Sequence, residues 1–557
     1  MFLIFDTETT GLPRNWNSPL TDFENWPRCI QIAWQLHDKN GACISHEDYI
    51  VKPDGFTIPY DSEKIHGIST ALADNDGLTL VKVLEKFHFA LESSEFVGGH
   101  NVRFDLNVMG SEFLRVSGKN PLEKLSIIDT CTEQTASLCQ LPGGRGGKFK
   151  LPTLSELHSY LFSNDFLEAH NATADVEATS RCFFELFRQG LIQPDILTNQ
   201  THILNHLKEA LKYPVQGIGL NHKNLKEASL KLAMADHEEK IPQQFNESDE
   251  ALLNQSQFVH LHTHSQYSIL QSTSRINDLI KTASNDKMNA ITITDHANMM
   301  GAFHFIKAVK KHNTDLEVEE HSLKPILGCE LFICDDHKDR SRKDNGFQIV
   351  FIAKNKKGYE NLVKMSSIAY TEGFYYVPRI DRSIVEQFKS DLIVLTGNLY
   401  GEVPSKILNL GNQQAEEALV WWQKKFGKDL YIELMRHNQE DEERVNKVLL
   451  TFAEKYNIKI VATNNSYYTN KQEANAHDIL LCVKGGEKQS TPIGRGRGFR
   501  YGFSNQEYYF KSQKEMKLLF SDIPEAIINI QEIVDKVEAF DLAREVLLPK
   551  FEIPDDF

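Results

Sequence analysis

The chain opens on an apolar run of strand length, Phe2-Leu3-Ile4-Phe5, that ends in Asp6, with a second acid, Glu8, two positions on. If the strand continues, Asp6 and Glu8 share one face. Ile30–Leu36 alternates apolar and polar residues, predicting a half-buried strand and, with the first, a hairpin-rich sheet. Val176, Cys182, Phe183, Leu186 and Phe187 fall near one helical face, which puts Asp175 close to the first turn. Thr198 to Tyr213 reads as an amphipathic helix, after which Glu238–Glu250 is polar and marks a boundary. Phe258–His264 alternates strictly, predicting a strand with His260, His262 and His264 on one face. A helix through Ile276, Leu279, Ile280 and Ala283 comes next, with short strands at Ala290–His296, Pro325–Glu330, Asp391–Gly397, Leu430–Leu434 and Ile458–Thr463. Polar residues recur at the C-terminal strand ends, where β/α barrels place their sites. No internal repeat occurs.

Length and charge narrow this picture. At 557 residues the chain exceeds one core, and 41% hydrophobic residues suffice to fill two or three. A net charge of −16 argues against non-specific adhesion to nucleic acid or to an anionic membrane. Any nucleic-acid substrate must then be held locally, by metals or a few basic loops. The 8 cysteines show no CxxC pair or zinc-finger spacing, which fits a reducing cytoplasm. No signal peptide or bilayer-length apolar run is read.

Two carboxylates in one small site raise each other's pKa unless a divalent cation keeps both ionised. Two more stretches give Asp6 and Glu8 weight: His100-Asn-Val-Arg-Phe-Asp105, and His170-Asn-Ala-Thr-Ala-Asp175 leading into a helix. His66, alone, reads as a structural histidine. With Phe5-Asp-Thr-Glu-Thr-Thr-Gly-Leu12 as first motif, these stretches resemble the DEDDh 3′–5′ exonucleases, an RNase H-like mixed-sheet fold. The resemblance implies Asp6, Glu8 and Asp175 as direct or shared ligands of two Mg²⁺ or Mn²⁺ ions about 3.5–4 Å apart, with Asp105 serving the second. It implies His170 as the base that deprotonates the attacking water, a role usually contributing about 10²–10⁴-fold. Thr7, Thr9 and the Gly11 turn would let the backbone approach a terminal nucleotide.

The second half resembles the PHP domain, a distorted β/α barrel, in the version that opens the α subunits of bacterial replicative DNA polymerases. Thr294–Ala302, Tyr376–Asp381, Val461–Asn465 and Tyr508–Met516 carry the likeness. Active PHP sites resemble clusters of about nine ligands around three metals; His262, His264, His296 and Glu330 match that pattern. Gln271, Gln348, Asn398, Asn465 and Tyr467 stand where relatives have ligands, and neutral amides ligate weakly. A full Zn²⁺ or Mn²⁺ site looks lost, leaving a scaffold. Arg495, Arg497 and Arg500 form a compact basic loop, and Gly143–Lys150 a weaker one; either could contact phosphate.

The expected organisation is an α/β protein with an exonuclease domain at 1–190, a helical and polar connector at 191–257 and a PHP domain at 258–557. No Pro-Asp-x-Asp-x-Asp palm motif occurs, so the resemblance implies the N-terminal part of a longer α subunit, partnered by its polymerase core, other replisome subunits and DNA 3′ ends. Expected activity is proofreading that releases 5′-mononucleotides. Two alternatives stay open: a PHP phosphoesterase as the active module, and a non-catalytic assembly module.

Overall fold

A computed structural model describes residues 1–557 except 14, 144–147, 165–170, 195–200, 219–223, 236–252, 254, 317–320, 495–498 and 544–557. The residues fall into two compact units, 1–242 with 409–411, and the remainder. The polar boundary stretch, His170, Arg495 and Arg497 lie outside the described residues.

The first unit is built on β1 (Phe2–Thr9), β2 (Cys29–His37), β3 (Cys43–Ile50), β4 (Phe96–Gly99) and β5 (Ser126–Asp129), in sheet order β3-β2-β1-β4-β5. β1 to β3 pair antiparallel, while β4 and β5 run parallel to β1. Apolar side chains alternate across β1. Leu3 and Phe5 join Trp34, Phe87 and Phe113 on one side, and Phe2 and Ile4 join Phe183, Leu186 and Phe187 of the helix Ala172–Arg188 on the other. The expected strand and hairpin-rich sheet are therefore present. Ile30–Leu36 departs from expectation: every residue of β2 is buried, because helices cover both faces of the sheet. Its polar positions are internal bonds. The Gln31 side-chain amide donates to Asp48 (2.8 Å) and its carbonyl accepts from the Ala172 N–H (3.3 Å). His66 is buried and its Nδ1 accepts from the Ile68 N–H at 3.1 Å, which accounts for it structurally.

The second unit carries β6 (Ala290–His296), β7 (Lys324–Cys334), β8 (Phe347–Ala353), β9 (Arg379–Asp381), β10 (Leu392–Leu395), β11 (Leu430–Met435) and β12 (Ile460–Thr463). Its sheet runs β12-β11-β10-β8-β7-β6, with β9 beside β7. β8 is antiparallel to both its neighbours, so the barrel is distorted and open.

Phe258–His264 is not the regular strand that its alternation predicts. It spans the gap between the two sheet edges on a few bonds: the Thr294 N–H donates to the Thr263 carbonyl (2.8 Å) and the His264 N–H to the Ser466 carbonyl (2.9 Å). His260 also leaves the expected trio, with its ring against Phe510 (3.9 Å) and its Nε2 bonded to the Lys511 carbonyl at 2.7 Å. The Tyr376–Asp381 motif is structural: buried Arg379 donates to the carbonyls of Asp344, Asp339, His337 and Gly373. Asp381 caps the helix Arg382–Phe388. Among the described residues no helix is long and apolar enough to cross a membrane.

Candidate active site

β1 continues past its apolar half, so the pleat that sends Phe2 and Ile4 toward the helix Ala172–Arg188 sends Asp6 and Glu8 there too. That helix starts at the Asn171 cap, whose side chain accepts from the Thr173 N–H, and Asp175 lies in its first turn as expected. Small residues let it sit close: Ala172 and Val176 pack on Ala33 of β2. A Cβ on Gly98 would come within 2.7 Å of Ile4 and 2.8 Å of Phe183, so only glycine permits this approach. Carboxylate oxygens of Asp6, Glu8 and Asp175 consequently lie within 4.8 Å of one another.

Asp105 arrives from the opposite face. β4 pairs only with Phe2 to Ile4, leaving the edge of β1 beyond it unpaired by a strand. Asp105, near the start of the helix Arg103–Ser117, takes that edge: its Oδ1 accepts from the Thr7 N–H (3.1 Å) and the Thr7 hydroxyl (2.6 Å). Asp105 is outside the trio of mutual neighbours. His100, in the same motif, is bound at both ring nitrogens, to the Thr130 hydroxyl and the Pro152 carbonyl, and burial lowers its pKa to about 4. It anchors the loop, and Thr7 is the site residue whose tethering task the sequence did not show.

Asp6, Glu8 and Asp105 resist ionisation. Burial, then the charges of Asp105, Asp175 and Glu8, raise the Asp6 pKa well above its usual value. Burial, then Asp175 and Asp105, push Glu8 up to about 8, and burial pushes Asp105 up to about 7 against its two bonds from Thr7. All-oxygen donors at this spacing fit hard divalent cations, which would hold the carboxylates ionised.

The linkage has a definite sign. Folded Glu8 keeps its proton up to about pH 8 whereas the unfolded group loses it near 4.5, so the stabilisation is complete below about 4.5 and disappears as pH rises through 8. In chelator, the melting transition of the first unit should fall by several degrees between pH 5.5 and pH 8. Mg²⁺ or Mn²⁺ should raise it most at pH 8, where fewer protons need displacing. A metal effect independent of pH in calorimetry would uncouple the cluster from cations. Thr7→Val, which leaves Asp105 only the backbone N–H, should lower turnover about tenfold, a loss of about 1.4 kcal/mol in transition-state stabilisation; steady-state rates on a 5′-labelled oligonucleotide check this.

In the second unit His262, His264, His296 and Glu330 come together, all buried. Glu330 lies 2.7 Å from His296 Nδ1, 3.5 Å from His262 Nε2 and 3.6 Å from His264 Nε2, yet these three ring nitrogens and Glu330 Oε2 have no hydrogen-bond partner. The residues at the replaced positions close on this group. Asn398 donates to Glu330 Oε1 (3.1 Å) and to the Gln348 carbonyl oxygen (2.9 Å), and the Tyr467 hydroxyl is 3.2 Å from His296 Nε2. The Asn398 amide occupies one lone pair of Oε1 and leaves Oε2 open. Glu433, which the sequence did not single out, bonds His262 Nδ1 at 2.8 Å. Burial opposes charge at both groups, yet Glu433 and Glu330 raise the His262 pKa to about 10, and His296 and His262 hold Glu330 well below its usual value.

Arg500 does not face a phosphate. Its guanidinium is buried in a two-pronged pair with Asp478 (2.7 and 2.9 Å) and also donates to the Thr491 carbonyl. A flexible basic loop leaves Arg free only if no acid lies below it, and Asp478 does.

Similarity to known families maps onto these two sites. The family described as "Exonuclease" matches residues 3–183, and the PHP domain family matches residues 260–437. The chain therefore carries an exonuclease-family domain followed by a PHP domain. More particularly, it is 36% identical over 307 residues to the DNA polymerase III subunit alpha of Borreliella burgdorferi, covering 54% of this chain and 26% of that protein. It is likewise 36% identical over 293 residues to that of Campylobacter jejuni, covering 50% and 23%. The chain thus spans about a quarter of the length of these relatives. Among solved structures, the exonuclease I of Methylocaldum szegediense is 24% identical over 36% of this chain and 42% of its own, with a TM-score of 0.27.

Proposed function

We propose that the chain is a metal-dependent 3′–5′ exonuclease that removes mispaired 3′-terminal nucleotides from DNA and releases 5′-mononucleotides, acting within a replicative polymerase. The observation that carries this reading is the convergence of Asp6, Glu8 and Asp175 on a face otherwise packed against one helix, with Asp105 held beside them at the edge of β1. Nothing in packing calls for four acids there.

Asp6, Glu8 and Asp175 would hold one Mg²⁺ or Mn²⁺ and share a second with Asp105, and such a pair stabilises charge on the attacking and leaving oxygens. The chain's own groups do the rest. The Thr7 tether fixes Asp105, the Asn171 cap and Gln31 fix the turn that carries Asp175, and β1 holds Asp6 and Glu8 in register. His170, two residues before the first helical residue, would take the proton from the attacking water. Tethering to a polymerase supplies local concentration, so an acidic chain needs little DNA affinity of its own. The PHP domain, with amides and a tyrosine at five of its ligand positions, would serve as scaffold.

The test is degradation of a 5′-labelled primer with a mismatched 3′ end, in Mg²⁺ and in chelator, by wild-type, Asp6→Ala and His262→Ala chains. Activity in Mg²⁺ that disappears with Asp6→Ala supports the reading. Activity that survives Asp6→Ala and disappears with His262→Ala would transfer the chemistry to the PHP domain.

A further inference from the structure

Beside the rearranged PHP cluster lies a cavity of about 230 Å³. None of its described lining residues is lysine or arginine. Its two neighbouring acids are committed: Glu330 to the histidines, and Glu442 to His437, whose Nδ1 it bonds at 2.6 Å.

What lines the cavity is aromatic and amide. Tyr467, Tyr501, Phe503 and Tyr508 supply rings, and Gln348 and Asn398 supply carboxamides. Tyr508 is held as a platform between Phe503 (centroids 3.9 Å apart, 28°) and His437 (4.2 Å, 10°). His437 is the informative residue. It lines the cavity while 1% exposed, Glu442 fixes its orientation through Nδ1, and its buried Nε2 has no hydrogen-bond partner. An oriented, buried ring nitrogen with nothing to bond costs stability unless a ligand completes it.

Aromatic faces, carboxamides and a single ring nitrogen are the equipment with which proteins hold unpaired bases, by stacking and edge hydrogen bonds. The volume falls below the usual ~300–1,000 Å³ of drug-sized ligand sites, which suits one base and not two. We propose that this cavity binds a single uncharged nucleobase, stacked on its aromatic wall and bonded to His437 Nε2. The replaced ligand positions then have a positive role: they convert a metal and phosphate site into a neutral base pocket. The base can come from a free nucleoside or from an unpaired position in a DNA strand. The second source rests on the exonuclease reading; the first does not.

The experiment is calorimetric titration of the full chain, in chelator, with adenosine, cytidine, ribose and adenosine 5′-monophosphate, and with a short single strand whose 3′ end is blocked. Chelator removes the exonuclease site's cations from play. Saturable nucleoside binding, weakened at least tenfold by Tyr501→Ala and by His437→Phe and unchanged by Asp6→Ala, is the expected result. Tyr501 is 52% exposed, so its truncation leaves the core intact and covers the case in which His437→Phe misfolds. Tighter binding of the strand than of nucleosides, with the same variant dependence, assigns the source to DNA; equal binding assigns it to the free nucleoside. Absence of nucleoside binding at millimolar concentration, binding insensitive to Tyr501→Ala, ribose binding as strong as adenosine, or preference for the monophosphate would each overturn the proposal. Failure of Asp6→Ala to abolish primer degradation would instead overturn the exonuclease reading and leave nucleoside binding standing.

Discussion

Asp6→Ala should lower exonuclease turnover by roughly 10³–10⁴-fold while leaving the protein, in the absence of divalent cations, more stable than wild type. The first half rests on the contribution of a cation pair: several kcal/mol of transition-state charge stabilisation, each 1.36 kcal/mol being tenfold in rate. Oxygens of Asp6, Glu8 and Asp175 are mutual neighbours within 4.8 Å, so removing Asp6 dismantles the trio. The second half rests on the same packing read in the opposite direction. Asp105, Asp175 and Glu8 all push the Asp6 carboxyl toward its neutral form, so deleting it relieves repulsion among the other three. Initial rates on a mismatched primer in Mg²⁺, together with melting in chelator, test both halves. Activity within tenfold of wild type would remove Asp6 from the chemistry. Loss of activity with a lower melting temperature in chelator would mean that Asp6 holds the fold together and that the cluster is not strained.

Much of this was legible in the sequence, for identifiable reasons. Period-2 alternation in Phe2–Glu8 placed two acids on one face, and the 3.6-residue spacing of Val176, Phe183 and Phe187 placed Asp175 in a first turn, because both are local geometric facts. Where pattern misled, the deciding partner was distant in sequence. Gln31 and Gln35 look solvent-facing until a helix 141 residues on covers Gln31. Arg500 looks like a phosphate contact until Asp478 takes its guanidinium. Phe258–His264 alternates like a strand, yet its neighbours are two sheet edges that barely meet. The Thr7 hydroxyl found Asp105 across 98 residues, and no pattern near Thr7 announces it. Replaced PHP ligands were visible one by one, but that their side chains bond Glu330 and His296 depends on how several strand ends converge.

That convergence gives Glu330 a measurable weight. Glu330→Ala should destabilise the second unit by about 3–5 kcal/mol, the usual consequence of removing one partner from a buried ion pair. Glu330 is fully buried, its oxygens lie within 3.6 Å of ring nitrogens of His262, His264 and His296, and Oε1 accepts from Asn398. Without it the charge on His262 keeps only Glu433, and the Asn398 amide loses a charged acceptor in a dry site, where an unmet polar group costs about 1–3 kcal/mol. For a unit of this size each 1 kcal/mol moves the melting temperature by about 2–4 °C, so the transition should drop by roughly 6–20 °C. Glu330→Gln should fall between, since it keeps the shape and one acceptor but not the charge that favours protonated His262. Calorimetry with and without added Zn²⁺ or Mn²⁺ separates the two readings of the cluster. If histidine, glutamate and amide satisfy one another, wild type is stable in chelator and neither cation raises its transition. If the cluster is a metal site, the cation raises that transition, Glu330→Ala abolishes the increase, and the scaffold assignment of the PHP domain fails.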